Sequence, residues 1–313
     1  MTTGEIRAEK KASAPSRRLH LAGNALRWKG ATPWMLLAPA LALIIVFTLG
    51  PTLVTLLASL SHISLIEKTW TFIGLENYRE AINSEEVWQA ARNTLIFSVL
   101  TIGPSVAIGL GLALLVDSFS RGRAVLRTLL FLPMTANLVA MSIVFSWIFA
   151  YRGGFANSLL AVFGVGPLNF LADASTALPT VAALEVWRAS SFNMVIYLAG
   201  LTTIPLVVHE AAAVDGLRGW AKFRRVLWPL LGPSTVFVTV ITVIGAFQVF
   251  DSISIMTDGG PLGATETVLY LVYRLGFRIF RFGYASALAF LLLAVTVLLG
   301  LARARVLART ELR

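Results

Sequence analysis

Long stretches of this 313-residue chain carry no charged side chain, and four of them, each longer than twenty residues, are predicted to cross a membrane without interruption. They run over 34–60, 95–116, 128–151 and 282–302. The hydrocarbon core of a bilayer is about 30 Å thick, and a helix that rises about 1.5 Å per residue crosses it in roughly 20 residues. Only 13% of the residues are charged, whereas soluble domains average roughly 25%. The chain is therefore predicted to be an all-α polytopic membrane protein.

Two less uniform stretches raise the predicted number of transmembrane helices to six. One of them contains Glu185 and Arg188, and the other contains Asp251 near its end. Each stretch is still long enough to cross the bilayer despite these charges. The six predicted spans are TM1 34–60, TM2 95–116, TM3 128–150, TM4 180–204, TM5 234–256 and TM6 282–302.

Lys and Arg in the connecting segments predict the orientation of the spans, because basic residues resist translocation. With the N-terminus inside, the inner segments contain 18 of the 26 basic residues and the outer segments contain 7. Both termini are therefore predicted to be cytoplasmic, as a basic tail over 1–33 and a shorter tail over 304–313. The outer segment 61–93 is predicted to contain a short helix before the membrane core (94–303), since Asn83 and Glu86 resemble a capping box.

The composition excludes several kinds of site. The chain has no Cys, so neither a disulfide nor a thiolate metal site can form. Its three histidines are far apart in sequence, and no nucleophile with a neighbouring base is visible. The formal charge of +10 is scattered between apolar runs instead of forming one stripe, which argues against nucleic acid as a partner. No catalytic residue and no metal site is predicted, and an integral-membrane enzyme is disfavoured.

The segment 205–232, between the fourth and fifth predicted spans, has an unusual composition for a cytoplasmic loop. Ala211 and Ala212 belong to a run of strong helix formers, and Gly216 stands where a helix C-cap belongs. A short helix over 208–215 with such small side chains would form a thin, rigid element that fits a groove in a partner protein. An interfacial helix lying against lipid explains the same composition.

The residue order in this segment resembles the EAA motif of the transmembrane subunits of binding-protein-dependent ABC importers. That motif reads Glu-Ala-Ala, three residues, Gly, nine residues and Ile-x-Leu-Pro. The present sequence has Val226 for Ile and Trp228 for Leu. The Asp-Gly pair and the later Phe match the form found in sugar permeases. The matching residues are Glu210, Ala211, Ala212, Asp215, Gly216, Phe223, Val226, Trp228 and Pro229.

A second segment, 247–277, is similar to the Phe-Asp-x5-Thr-x-Gly-Gly-Pro segment of carbohydrate and glycerol-phosphate permeases in the same family. Together with the number of spans, the resemblance covers about residues 34–303. It implies the type I ABC importer permease fold and a location in the cell membrane.

The resemblance also implies partners. These are a second homologous permease, two ATP-binding subunits and an extracytoplasmic solute-binding lipoprotein. The chain has no G-x-x-x-x-G-K-[ST] sequence, so ATP is expected to bind to the partner subunits and the chain itself is expected to have no cofactor. The residues that the resemblance assigns to coupling with the ATPase are Glu210, Ala211, Ala212, Asp215 and Gly216.

Charged and polar residues inside the spans are candidates for a solute path, because burying them in a bilayer is costly unless they face a partner or a cavity. Glu185 and Arg188 are three residues apart, so they share a helical face and are predicted to form an intramembrane pair. The predicted path residues are Asn193, Phe247, Gln248, Phe250 and Asp251.

The sequence leaves the solute and the energy source open. Aromatic and amide side chains suit a sugar, whereas Arg274 or Arg278 could bind a glycerol phosphoester. A secondary transporter that uses Asp251, Glu185 and Arg188 as an ion relay is the alternative function, but it leaves the EAA-like segment unexplained.

Overall fold

The computed structural model describes residues 32–64, 68–119 and 121–310, so most of the predicted tail over 1–33 lies outside the described residues. The chain divides into two compact units, residues 1–52 and 53–313. In the first unit, helix α1 (Thr32–Ile44) continues into a π-helical turn (Ile45–Leu49).

The second unit is helical apart from one small hairpin and its loops. Helix α2 (Gly50–Ser59) begins at the boundary between the units and leads into it. The remaining elements are β1 (Ser61–Ser64), β2 (Thr69–Phe72), α3 (Glu76–Asn83), α4 (Glu85–Ser118), α5 (Arg123–Thr135), α6 (Leu138–Ile148), α7 (Phe155–Val162), α8 (Ala177–Thr202), α9 (Leu206–Val214), α10 (Gly219–Lys222), a π turn (Phe223–Leu227), α11 (Trp228–Leu230), α12 (Gly232–Phe247), α13 (Asp251–Met256), α14 (Val268–Tyr273), a π turn (Arg274–Arg278) and α15 (Phe282–Thr310).

Three helical runs are long and apolar enough to cross a membrane by themselves: Trp34–Ser59, Glu85–Ser118 and Phe282–Gly300. Three bent pairs of helices meet the same requirement only when each pair is taken together. The pairs are Arg123–Thr135 with Leu138–Ile148, Ala177–Thr202 with Leu206–Val214, and Gly219–Leu230 with Gly232–Phe247. Length and composition thus allow up to six spans in the part of the chain that is described.

Helices α4 and α8 form the most extensively packed pair of the second unit. Their backbones approach closely at Gly109, where an added Cβ would lie 2.5 Å from the Cβ of Asn193. A side chain at this position would push the helices apart, so glycine permits the contact. Buried apolar clusters lie along this pair, one around Phe97 and Leu184 and another around Met194 and Tyr197.

Two predicted spans are not the continuous helices that we expected. In the stretch 128–150, α5 and α6 meet at 93°, because Asn137 begins a new helix by accepting a hydrogen bond from the backbone N–H of Ala140 at 3.2 Å. In the stretch 234–256, α12 ends at Phe247 and α13 starts at Asp251. The intervening Phe250 has φ −142° and ψ −57°, which no helix tolerates.

The outer segment 61–93 also differs from the sequence-based expectation. It contains an antiparallel hairpin, in which Ser61 pairs with Phe72 and Ser64 with Thr69. Its short helix ends at Asn83, and α4 then begins ten residues before the predicted start of TM2. The predicted capping box at Asn83 is wrong, since the N-cap of α4 is Ser84 and it makes no side-chain cap bond. At the other end of the chain, α15 continues through Thr310, so the predicted tail is helical up to that residue.

Candidate functional site

A cavity of about 160 Å³ lies among α4, α8 and α12, inside the predicted membrane region. Its wall mixes apolar with polar side chains, although these helices are otherwise rich in aliphatic residues. Thr101 comes from α4, Asn193 from α8 and Thr242 from α12. Because polar groups inside a membrane protein favour sites where they can bind a partner, this cavity is the first candidate for a solute site. The remaining lining residues are Phe97, Met134, Glu185, Arg188, Ala189, Phe192, Ile241, Gly245 and Ala246.

Glu185 and Arg188 form an ion pair at one side of this cavity. The Arg188 Nε donates to Glu185 Oε2 at 3.2 Å, and Glu185 itself is only 7% exposed. The second carboxylate oxygen accepts a hydrogen bond from the Ser252 hydroxyl at 3.1 Å. Each charge is therefore compensated inside the chain, and the pair adds no net charge to the cavity. Ser252 lies on α13, so the same carboxylate links α8 to the helix that follows the break in span five.

Two polar atoms in the cavity wall have no hydrogen-bond partner within the described residues. They are the Thr101 hydroxyl and the side-chain NH₂ of Asn193, on residues that are 3% and 1% exposed. The carbonyl oxygen of the Asn193 side chain does have a partner, the Thr242 hydroxyl at 3.3 Å, which also donates to the Val238 carbonyl at 2.8 Å. A buried donor without a partner costs roughly 1–3 kcal/mol. These two groups therefore have hydrogen-bonding capacity that the described residues leave unused, on atoms that the protein covers in this conformation.

Sequence reasoning missed Thr101 and Thr242 because Ser and Thr do not interrupt an uncharged run. The signal is nevertheless present in the second span. Four hydroxyl residues of α4 recur at intervals of four, three and four positions, which places them on one helical face. All four are buried in the structure. They are Thr94, Ser98, Thr101 and Ser105.

The structure places the other predicted path residues away from Asn193. Phe247 lines a separate, apolar groove together with Trp88 and Leu95. Phe250 packs edge-to-face against Tyr273, with the two ring centroids 5.0 Å apart. Two more, Gln248 and Asp251, stand at the break between α12 and α13, where Gln248 is exposed and Asp251 half-buried. Of the predicted path residues, Asn193 alone lines the 160 Å³ cavity.

The two arginines considered for a phosphoester are already paired inside the chain. Arg274 binds both Glu86 and Glu266, and its Nε lies 2.6 Å from the Glu266 carboxylate. Arg278 binds both oxygens of Asp258 at 2.7 and 2.8 Å. Hydrogen bonds from Arg278, and then from the Tyr270 hydroxyl, hold the pKa of the Asp258 carboxyl below its ordinary value of 3.8.

Helix α9 turns away from the end of α8 by 77°. Its end is a Schellman motif, in which the N–H of Gly216 donates to the Ala213 carbonyl and the N–H of Leu217 to the Ala212 carbonyl. Gly216 has φ +71°, a conformation that L side chains rarely adopt. The predicted helix end at Gly216 is thus confirmed, and the helix itself begins at Leu206, two residues earlier than predicted.

Most of the surface of α9 is not covered by the rest of the chain. Glu210 and Ala211 are exposed, whereas Ala212 is buried and faces the protein. Three apolar side chains of the helix are also exposed: Leu206, Val207 and, at 88%, Val214. An exposed apolar surface beside a carboxylate is typical of a site that a partner protein covers. The structure thus exposes four of the five predicted coupling residues, Glu210, Ala211, Asp215 and Gly216, whereas Ala212 packs against the rest of the chain.

Comparison with known proteins identifies relatives over most of the chain. Residues 105–311 match the family described as binding-protein-dependent transport system inner membrane component. The chain is 34% identical over 279 residues to the lactose transport system permease protein LacF of Rhizobium radiobacter, covering 87% of this chain and 93% of that protein. It is 32% identical over 268 residues to the sn-glycerol-3-phosphate transport system permease protein UgpA of Agrobacterium fabrum, covering 85% and 91%.

A solved structure shows the same fold. It is the crystal structure of a bacterial ABC transporter involved in the import of the acidic polysaccharide alginate, with a TM-score of 0.79 and 23% sequence identity. The likeness covers 90% of this chain and 98% of the matched chain. The family match and this structure agree on an ABC importer permease fold in the inner membrane, with several membrane-spanning helices.

Proposed function

The chain belongs to the family of binding-protein-dependent transport system inner membrane components, and we propose that it carries a neutral sugar through the membrane part of an ABC importer. One observation supports a solute without charge. The cavity presents hydroxyl and amide groups, and the charges of Glu185 and Arg188 in its wall neutralise each other. Sugars bind through directional hydrogen bonds, and the Thr101 hydroxyl and the Asn193 amide would supply them once movement of the surrounding helices exposes these atoms.

A phosphorylated solute fits the structure less well, although one relative is named for glycerol-3-phosphate transport. A phosphate requires a cation that is not already neutralised. Arg188, Arg274 and Arg278 are each bound to a carboxylate of the chain. A phosphate would have to displace that carboxylate, and for Arg188 the displaced Glu185 would then be a buried charge without its cation.

The coupling step is assigned to helix α9. Glu210 would pair with a basic group of a separate ATP-binding subunit, while the small exposed side chain of Ala211 allows close approach. Movement of that subunit would carry α9 and, through the bend at its start, α8 with it. Since α8 contributes Asn193 to the cavity, such a movement would change the access of the solute.

The proposed importer contains this chain, a second homologous permease, two ATP-binding subunits and a solute-binding lipoprotein outside the membrane. The family description supports dependence on a binding protein. The alternative, an ion-coupled secondary transporter, would leave the family match over 105–311 and the exposed α9 unexplained.

Uptake by the complete importer in proteoliposomes tests the proposal. We expect ATP-dependent accumulation of a neutral disaccharide, measured with its binding protein, and no accumulation of sn-glycerol-3-phosphate. We also expect Thr242→Val to raise the half-saturating sugar concentration roughly fivefold. The substitution removes the hydrogen bond that orients the Asn193 amide, and the loss of one hydrogen bond costs about 1 kcal/mol. Thr239→Val is the matched control, since Thr239 lies on the same helix and bonds only to the Thr235 carbonyl.

Two results would overturn this function. Accumulation of glycerol phosphate but not of any neutral sugar would refute the neutral solute. Uptake that follows an ion gradient and ignores ATP would refute the importer.

A further inference from the structure

The segment 218–228 lies across the end of span five. The helical run Gly219–Leu230 meets α12 at 70°. If α12 crosses the bilayer as part of the predicted span 234–256, this run stands outside that span and lies close to the membrane plane at its end. Its position at the predicted cytoplasmic face places it at the level of the lipid headgroups.

Four basic side chains occur in this segment, and none of them forms an ion pair with the rest of the described chain. Arg218, Arg224 and Arg225 are exposed, and Lys222 is half-buried. The carboxylates closest in sequence are Glu210 and Asp215, which belong to the coupling helix and its cap. An anionic partner outside the chain would satisfy this excess of positive charge.

Aromatic rings alternate with these cations. The ring centroids of Trp220 and Phe223 are 5.0 Å apart, and those of Phe223 and Trp228 are 6.0 Å apart. Trp220 is 72% exposed, whereas Phe223 packs against a buried cluster that contains Leu201 and Leu231. Of these aromatic rings, that of Phe223 is thus held against the protein core, while the indole of Trp220 is exposed.

We propose that the segment 218–228 binds the headgroups of anionic phospholipids in the cytoplasmic leaflet. Tryptophan is enriched at the membrane–water interface, and cations beside it are attracted to the negative surface of that leaflet. A soluble partner explains the charge but not the combination of an exposed Trp with a helix lying in the membrane plane. Because the segment directly follows α9, bound lipid would hold the coupling helix at a fixed height relative to the bilayer.

The test uses the purified importer with all its subunits. Native mass spectrometry measures the apparent dissociation constants of phosphatidylglycerol and of phosphatidylcholine. We expect the wild type to prefer phosphatidylglycerol and the variant R224Q/R225Q to bind it at least about tenfold more weakly, since each cation near an anionic surface adds about fivefold. The charge-retaining variant R224K/R225K is expected to keep the preference.

The matched control is R79Q/R92Q on the predicted outer side, which removes two exposed cations that form no ion pair with any residue the structure describes. It is expected to leave the preference unchanged. An unchanged preference in R224Q/R225Q, or an equal loss in the control, would overturn the proposal. So would dissociation of the ATP-binding subunits from R224Q/R225Q with lipid preference intact, because the cations would then bind protein. The measurement contains no solute, so its failure is distinct from failure of the proposed transport function.

Discussion

The predicted outer segment 257–281 and the predicted inner segment 218–228 use arginine in opposite ways. In the outer segment, Arg274 binds Glu86 and Arg281 binds Glu80, both from a distant part of the chain. Arg278 binds Asp258 of the same segment. At the inner end, Arg224 and Arg225 are exposed and bind no carboxylate among the described residues. Ion pairs within the chain thus connect the outer segment to other parts of the protein. The cations of the inner segment are available to a partner outside the chain.

This difference predicts how the helices respond to a load applied at helix α9. Two of the outer pairs, Arg274 with Glu86 and Arg281 with Glu80, connect segments distant in sequence. A load applied at helix α9 would therefore meet helices whose far ends are held together. We expect such a load to tilt the helices around the cavity instead of separating them.

The largest effect on stability is expected at Arg274. Replacing it with Gln removes the cation from Glu266, whose side chain is only 12% exposed, and from Glu86. A largely buried carboxylate without its partner is costly, so we expect a loss of about 2 kcal/mol after allowance for solvent around Arg274. Denaturant unfolding of the purified permease measures this. Glu86→Gln is the control, since it leaves Glu266 paired; an equal loss in both variants would contradict the contrast in burial.

A smaller, pH-dependent effect is expected at Asp258. Its pKa is lowered in the folded chain, so its contribution to stability is complete above the ordinary value of 3.8 and disappears as the pH falls through the lowered pKa. Asp258→Asn should therefore melt at a lower temperature than the wild type at pH 7. Melting curves at successively lower pH should converge. A gap that stays constant into strong acid would show that the ion pair with Arg278 is not its source.

The smallest effect is expected at the inner end. Because Arg224 and Arg225 bind nothing within the described chain, R224Q/R225Q should change the free energy of unfolding in detergent by no more than about 0.5 kcal/mol. Unfolding under the conditions used for Arg274→Gln provides the comparison. A loss as large as that of Arg274→Gln would mean that the inner cations also fasten the fold, and the contrast between the two ends would disappear.

The sequence predicts the helical membrane fold because uncharged runs of sufficient length are a strong signal. It does not predict the bends. Pro133 and Asn137 lie within one uncharged run, and only the packed chain shows that Asn137 caps a new helix. The hairpin over 61–72 was also missed, because its pairing depends on contacts rather than on a hydrophobic pattern.

The sequence predicts part of the candidate site. The spacing of Glu185 and Arg188 indicates a shared helical face, and the two side chains do meet. Their third partner, Ser252, is 67 residues away in sequence, so a local pattern cannot reveal it. Arg274 and Arg278 were considered for solute binding for the same reason, since their carboxylate partners come from distant segments or from a folded loop.

The most direct test concerns the proposed role of helix α9 in coupling ATP hydrolysis in the partner subunits to transport. Gly216→Val forces a β-branched residue to φ +71°, which costs about 1–2 kcal/mol and shifts the end of the helix. Gly164→Val is matched, because Gly164 has φ +72° and, like Gly216, has nothing within 4 Å of an added Cβ, but it lies in the predicted outer segment after α7. ATP-driven sugar uptake by the assembled importer should fall at least about tenfold in Gly216→Val and remain near wild type in Gly164→Val. Wild-type uptake by Gly216→Val, or equal losses in the two variants, would contradict the role of α9.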